Sequence, residues 1–327
     1  MAAPLQLGFT DYEQTYAKKK TRRQRFLDEM EATVPWDAFL ALISPVYHRP
    51  SAKGGRPSFP LEVMLRIHLL QQWFTLSDPL MEEMLIDTPC FRRFAGIDMV
   101  EDRIPDETTI LNFRHLLEEN RIAEQILETV NQSLREKGVM LKEGTILDAT
   151  IINAPSSTKN KKGERDPEMH SVAKGNQWFF GMRCHIGVDA ASGLVHSVVS
   201  TAANVHELNT AADRVHGEER VIYGDSGHIG IEKREAFKDC DAEMRIAMKP
   251  GQRRVLPDTP EGRLLDLVEA AKAHIRAKVE HPFRIIKCQF GFRKVFYRGI
   301  RKNHLRLTML FALANLWMVR ERCPSTA

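Results

Sequence analysis

Asp148, Asp225 and Glu280 sit where a carboxylate points to chemistry. Asp148 lies within Gly-Thr-Ile-Leu-Asp-Ala-Thr-Ile-Ile (144–152), an apolar, β-branched run that reads as a buried strand. Asp225 ends Arg-Val-Ile-Tyr-Gly-Asp-Ser-Gly-His (220–228), a second such strand running into a turn of small residues. Glu280 follows a long amphipathic stretch, in Arg-Ala-Lys-Val-Glu-His-Pro-Phe-Arg-Ile-Ile-Lys (276–287). A carboxylate at the end of a core strand is costly unless it is paired or binds a metal. Two strand-borne aspartates and a helical glutamate, amid many Lys and Arg, suggest a divalent-metal site acting on phosphodiesters.

The elements that must position these acids fall into two halves. Residues 1–35 are polar and basic and read as a disordered segment, with Ala-Lys-Lys-Lys-Thr-Arg-Arg-Gln-Arg at 17–25. Residues 36–138 are helical in pattern. Pro60 opens one helix, Ser77-Asp78-Pro79 supplies an N-cap and first-turn proline for another, and Pro105-Asp106-Glu107 opens a third. A last helix stops at Gly138. From 139 to 327 the pattern changes. Strands are predicted at 144–152, 180–188, 194–202, 219–225 and 244–249, with a long polar loop at 153–176. Helices are predicted after Asn204, around 230–239, over 262–281 and over 304–322. Strand, hairpin, helix, strand, helix, strand, helix is the element order of a ribonuclease-H-like fold. The expected class is therefore α/β: a mixed five-stranded sheet with flanking helices, preceded by an all-helical region. Such a sheet would bring the three acids together.

Composition narrows the function classes. The 327 residues are 43% hydrophobic and 28% charged, which fits a globular protein with a real core. Net charge is only +4, but the basic residues cluster, which suits a polyanion partner. Five scattered cysteines without a Cys-x-x-Cys pair argue against a zinc site or a disulfide framework and fit a reducing cytoplasm. No secretory signal pattern or apolar run of membrane-spanning length is expected.

In the stretch before Glu280, Leu264, Val268, Ala271, Ile275 and Val279 form an apolar stripe at helical period, predicting an amphipathic helix. Arg276 and Glu280, four apart, share a face and would also fit a surface ion pair worth about 0.3–0.5 kcal/mol. Lys287 continues that face if the helix survives Pro282, which is expected to kink or interrupt it. Arg276, Glu280 and Lys287 spell Arg-x3-Glu-x6-Lys. With Leu-Asp-Ala-Thr-Ile-Ile-Asn-Ala-Pro (147–155), Lys-Gly-Asn-Gln-Trp-Phe-Phe-Gly-Met-Arg (174–183), Thr-Ala-Ala-Asn-Val-His-Glu (201–207) and Val-Glu-His-Pro-Phe-Arg (279–284), this pattern resembles the insertion-sequence DDE transposases. The likeness is to the group named for insertion sequence five (InsH type), over roughly residues 35–320. Two positions depart from that pattern: Ala273 stands where a tyrosine is common, and His228 where an aromatic is common.

The resemblance implies two Mg2+ (or Mn2+) ions held by Asp148, Asp225 and Glu280, which are also the catalytic residues. It implies cleavage at the terminal inverted repeats of an insertion sequence and joining of the 3′-hydroxyl to target DNA. It also implies a homo-oligomer on DNA, in a bacterial cytoplasm and nucleoid-associated when DNA-bound. Rival readings are a metal-dependent nuclease of the same fold and a catalytically inactive, transposase-derived DNA-binding protein. Candidate DNA contacts are Arg276 and Lys287 beside Glu280; Lys159, Lys161, Lys162 and Lys174 in the polar loop; and Trp178, which would stack on a base or cap the sheet. His228 is a further candidate, whereas His185 and His206 read as structural. Arg56 in Gly-Gly-Arg-Pro resembles a minor-groove insert or a plain turn. Residues 106–118 read as the recognition helix of a helix-turn-helix-like domain, offering Thr109, Asn112, Arg114 and His115, or as part of a dimerisation lobe.

Overall fold

The computed structural model of the protein describes residues 19–47, 57–99, 101–161 and 163–321. The chain divides into two compact units. The first takes the described residues up to Ile126 and from Leu316 onward, and the second is Leu127–Asn315. The unit boundary thus differs from the sequence boundary at 138/139.

The first unit is helical: α1 (Arg22–Glu31), α2 (Trp36–Ile43), α3 (Leu61–Phe74), α4 (Asp78–Asp87), α5 (Pro89–Ala95) and α6 (Glu107–Glu119). Helix α1 corrects the expectation of a disordered segment through residue 35. Thr21 caps it, accepting from the Gln24 N–H at 3.1 Å, and Leu27 and Met30 are buried three residues apart. The basic residues Arg22, Arg23 and Arg25 are left exposed on its remaining surface. The predicted Ser77 cap is present, accepting from Leu80 N–H at 3.4 Å, and Asp106 caps α6, accepting from Thr109 N–H at 2.7 Å. Trp73 anchors the core, met edge-on by Phe26 at 5.5 Å and Phe94 at 5.6 Å.

Helix α7 (Ile122–Glu136) ends just ahead of Gly138, as predicted. The second unit then builds one mixed sheet of six strands rather than five: β1 (Gly144–Asn153), β2 (His170–Lys174), β3 (Gln177–Asp189), β4 (Val195–Ala202), β5 (Val221–Gly224) and β6 (Glu243–Ile246). β1 is the hub, antiparallel to β3 on one side and parallel to β5 on the other. β6 runs parallel to β5, while β2 and β4 pair with successive halves of β3. β2 comes from the stretch read as loop. Its side chains are mostly exposed, so it carries no hydrophobic alternation to announce it.

The helices expected after Asn204 and around 230–239 are short 3-10 turns, at Glu207–Thr210, Ala212–Arg214, Ile231–Lys233 and Glu235–Phe237. Single anchors such as Ile231 and Phe237 satisfy the core there without a helical stripe. Next come α8 (Pro250–Arg254) and α9 (Pro260–Arg276). The α9 stripe does not face the core: Leu264 is 62% and Val268 45% exposed. The helix is instead held through buried Glu269, which accepts from Met248 N–H at 2.9 Å and pairs with Lys272 at 2.7 Å. A 3-10 turn at Ala277–Val279 leads into α10 (Glu280–Arg284), a π turn at Ile285–Gln289 follows, and α11 (Ile300–Val319) completes the unit's apolar core. Pro282 does not break this run. The switch of register puts it in the first turn of α10, where no N–H is needed. No described helix is long and apolar enough to cross a membrane.

Arg114 also departs from the sequence reading. Its guanidinium is buried, donating to Asp78 at 2.8 Å and Glu118 at 2.7 Å, so it braces α6 against α4 rather than facing DNA. Burial alone would raise the Asp78 carboxyl, but bonds from Arg114 and Gln71 outweigh it and hold it below its ordinary value of 3.8. Arg114→Met strands two mostly buried carboxylates and is expected to cost about 2–3 kcal/mol in urea unfolding at pH 7. A depressed folded-state value stabilises above the unfolded one, so the difference from wild type should shrink as pH falls below about 4. An unchanged urea midpoint would show that the network is not structural.

Candidate active site

The strand register sets Asp148 beside Asp225. In the parallel ladder Leu147 pairs with Gly224, the last residue of β5. The next residue in each segment is an aspartate, Asp148 within β1 and Asp225 just past the end of β5, so the register brings the two to neighbouring positions. β5 stops there, whereas β1 runs on to Asn153, which is bridged in parallel by Lys294 and accepts from Val295 N–H at 2.8 Å.

A buried cation ties the two aspartates together. Arg214, fully buried, donates to the Asp148 carbonyl at 3.2 Å, the Glu207 carbonyl at 2.8 Å and the Thr210 carbonyl at 3.1 Å. Its Nη2 also lies 3.3 Å from His228 Nε2. His228 Nδ1 is 2.8 Å from Asp225 Oδ1, which accepts in addition from Gly227 N–H at 3.0 Å. His228 is 0% exposed, so it does not face DNA as the sequence suggested.

The two aspartates are driven apart electrostatically. Burial, first of all, pushes the Asp148 carboxyl up to about 6. The Ala149 N–H and Arg276 pull it back, while Glu207 and Asp225 push it further. Burial would raise Asp225 as well, but the His228 bond, Arg276 and the Gly227 N–H outweigh it and hold the group below its ordinary value. Glu207 adds a further carboxylate. Its Oε2 is buried without a hydrogen-bond donor, 3.9 Å from His228 Nδ1. Glu207, Asp225 and His228 offer ligand atoms within 4.8 Å of one another. Crowded carboxylate oxygens, one ionised with difficulty and another unpartnered, fit a hard divalent cation.

Glu280 opens α10, in the run from α9 to the π turn. Arg276, one turn before it, acts on both Asp148 and Asp225. Lys287, beyond it, donates to the Thr150 hydroxyl and, at 3.4 Å, to the Ile151 carbonyl. Burial holds the Lys287 ammonium below its ordinary value. Cys184 opposes this, Lys174 adds to it and Glu280 opposes it. Glu280 itself is exposed, and the Arg276–Glu280 surface ion pair does not form among the described residues. Lys159, Lys161 and Lys174 are exposed. Trp178 is 76% exposed, which rules out the sheet-capping reading. His206 caps the turn that carries Glu207, accepting from Leu208 N–H at 3.2 Å, and His185 bonds Thr201 at 2.9 Å, so both are structural. In the first unit, Thr109, Asn112 and His115 recur every third residue and line a cleft of about 520 Å³ with Tyr47 and Phe59. Arg56 and Lys162 lie outside the described residues.

Two site residues escaped the sequence reading. Glu207 closes the motif at 201–207 but carried no separate signal, and nothing in the sequence marks Arg214 as buried. With chelator present, Asp148→Asn is expected to stabilise the protein by about 1–2 kcal/mol at pH 7, since it removes an ionised group that folding disfavours. The gain should be absent below pH 3.8, grow as pH rises to about 6 and stay full above it. Thermal melts across pH check this, and an equal or lower melting temperature for the variant at pH 7 would contradict it.

Residues 140–316 match the Transposase DDE domain family, and residues 14–116 match a second transposase domain family, DUF772. No solved structure matches the chain at a significant level. The first match spans more than half of the chain and contains Asp148, Asp225 and Glu280. Its mixed sheet with flanking helices agrees with the ribonuclease-H-like architecture of that family. The chain therefore belongs to the insertion-sequence DDE transposases, DNA-acting enzymes whose chemistry depends on divalent metal ions.

Proposed function

We propose that the protein binds the terminal inverted repeats of its own insertion sequence, hydrolyses the strand at the element's ends and joins the freed 3′-hydroxyl to target DNA. One observation supports this above the others: the β1–β5 register sets Asp148 beside Asp225, under a helical run that carries Arg276, Glu280 and Lys287.

Asp148, Asp225 and Glu280 would hold two Mg2+ (or Mn2+) ions, which when bound neutralise the carboxylates, lower the pKa of water and polarise a phosphodiester. The remaining work falls to the chain's own groups. Arg276, in the field of both aspartates, meets the scissile phosphate and offsets charge developing on its oxygens. Lys287, held by Thr150, fixes the adjoining phosphate. Lys159, Lys161 and Lys174 track the backbone by charge, and Trp178 offers an aromatic face to an unstacked base. In the first unit, Thr109, Asn112 and His115 read the repeat from one face of α6. The enzyme acts as a homo-oligomer on DNA, in the cytoplasm.

The test uses duplexes carrying the DNA that flanks the gene. Mg2+ or Mn2+ should support nicking at the repeat end and joining of pre-cut ends, and chelator should abolish both. Asp148→Asn, Asp225→Asn and Glu280→Gln should each remove activity and leave repeat binding intact, and pairs of them should do no further damage. Cleavage persisting in chelator would sink the reading.

Arg276→Ala should stay folded and lose at least tenfold in cleavage or joining, about 1.4 kcal/mol in the barrier. Asn112→Ala should weaken repeat binding by about 1–3 kcal/mol while leaving non-specific binding unchanged. Equal loss on repeat and random duplex would place sequence recognition elsewhere.

A further inference from the structure

Resting on the reading of Asp148, Asp225 and Glu280 as the metal-holding set, we propose that His228 is not a ligand of that site but its brace. Arg214 fixes the ring in the tautomer that donates from Nδ1 to Asp225, and so decides which oxygen of Asp225 is left for a cation.

The assignment follows from donors and acceptors. An arginine side chain only donates. Arg214 Nη2 lies 3.3 Å from His228 Nε2, so Nε2 must accept and carries no proton. The ring proton is then on Nδ1, 2.8 Å from Asp225 Oδ1. Arg214 cannot readily turn away, because its Nε, Nη2 and Nη1 also donate to the carbonyls of Thr210, Glu207 and Asp148 at 3.1, 2.8 and 3.2 Å. Both side chains are 0% exposed, so no water competes for these bonds. The backbone is shaped to admit them. A Cβ on Gly224 would lie 2.9 Å from the Cβ of His228, and one on Gly187 would lie 2.3 Å from the Arg214 carbonyl oxygen.

Glu207, Asp225 and His228 cluster like a three-ligand metal site, but a histidine ligand must offer a lone pair. The only lone pair of this ring faces a guanidinium cation. Glu207 and Asp225 can still turn oxygens toward an ion, whereas His228 cannot. Asp225 Oδ1 is saturated by His228 and by Gly227 N–H, so Oδ2 is the oxygen left free of protein hydrogen bonds among the described residues. Through the Asp148 carbonyl on one side and His228 on the other, Arg214 joins the two aspartate-bearing strands. It and His228 are positioning residues, not catalytic ones.

The full-length protein labelled with 15N-histidine tests this directly. The His228 ring signals are identified by their loss in His228→Asn, and two-bond 1H–15N spectra report which nitrogen is protonated. The expected result is a protonated Nδ1 and a bare Nε2, both unmoved by Mg2+. A protonated Nε2, two protonated nitrogens, or a ring nitrogen shifted by Mg2+ as a ligand would overturn the proposal. Calorimetric Mn2+ titration provides a second readout. His228→Asn keeps an N–H near the Nδ1 position and should retain affinity, whereas His228→Gln moves its amide toward Arg214 and should lose about tenfold or more. Equal loss in both variants would make the ring a ligand. Cleavage surviving Asp148→Asn would sink the functional reading whatever the tautomer. A protonated Nε2 with the carboxylate variants inactive would sink the brace alone.

Discussion

The parallel pairing of β1 with β5 is the constraint on which the rest of the site depends. It is short, from Gly144↔Val221 to Leu147↔Gly224. Because side chains alternate along a strand, a slip of one residue would send Asp148 and Asp225 to opposite faces. Ile146 and Leu147 on β1 and Ile222 and Tyr223 on β5 are buried and hold the register. The early end of β5 has its own consequence. It frees the next residue of that chain to turn, and it leaves the middle of β1 unpaired with β5, ahead of the Asn153–Lys294 bridge, where Lys287 reaches Thr150.

Placing acids side by side in a sheet has an electrostatic cost, and the surrounding residues distribute it unevenly. Asp225 receives hydrogen-bond donors and stays ionised readily. Asp148 keeps one backbone donor and is pushed up by burial and by its acidic neighbours. Arg214 compensates from below, buried among carbonyls, and Arg276 from the helix side. Acids crowded this way create an unfavourable field that a cation would relieve. Rigid carbonyl-bound arginine supports the aspartates, while Arg276 is only half-buried.

The sequence disclosed most of what hydrophobic pattern and turn chemistry encode. The strand bearing Asp148, the strand leading into Asp225, the cap at Ser77 and the helical half were all legible, because each writes a local signal. Its failures share a physical cause. β2 is exposed on both faces, so no alternation betrays it. The α9 stripe of Leu264 and Val268 has helical period but no core to meet, because Glu269 anchors that helix by polar bonds. Arg114 and Arg214 are polar residues whose burial depends on partners far off in the chain, Asp78 and the Asp148 carbonyl, and His228 is buried against Arg214. No local pattern reports such pairing. Pro282 misled for a related reason, since the change of helical register that accommodates it is a tertiary event.

The central claim is that Asp148, Asp225 and Glu280 form one divalent-cation centre whose aspartates are aligned by the β1–β5 register. Anomalous diffraction from crystals soaked in Mn2+ tests it most directly. The account predicts Mn2+ peaks between Asp148 and Asp225, on the Oδ2 side of Asp225, with Glu280 turned toward them and His228 outside the coordination sphere. Mn2+ bound through the His228 ring, or absent from Asp148 and Asp225 while bound elsewhere, would contradict it.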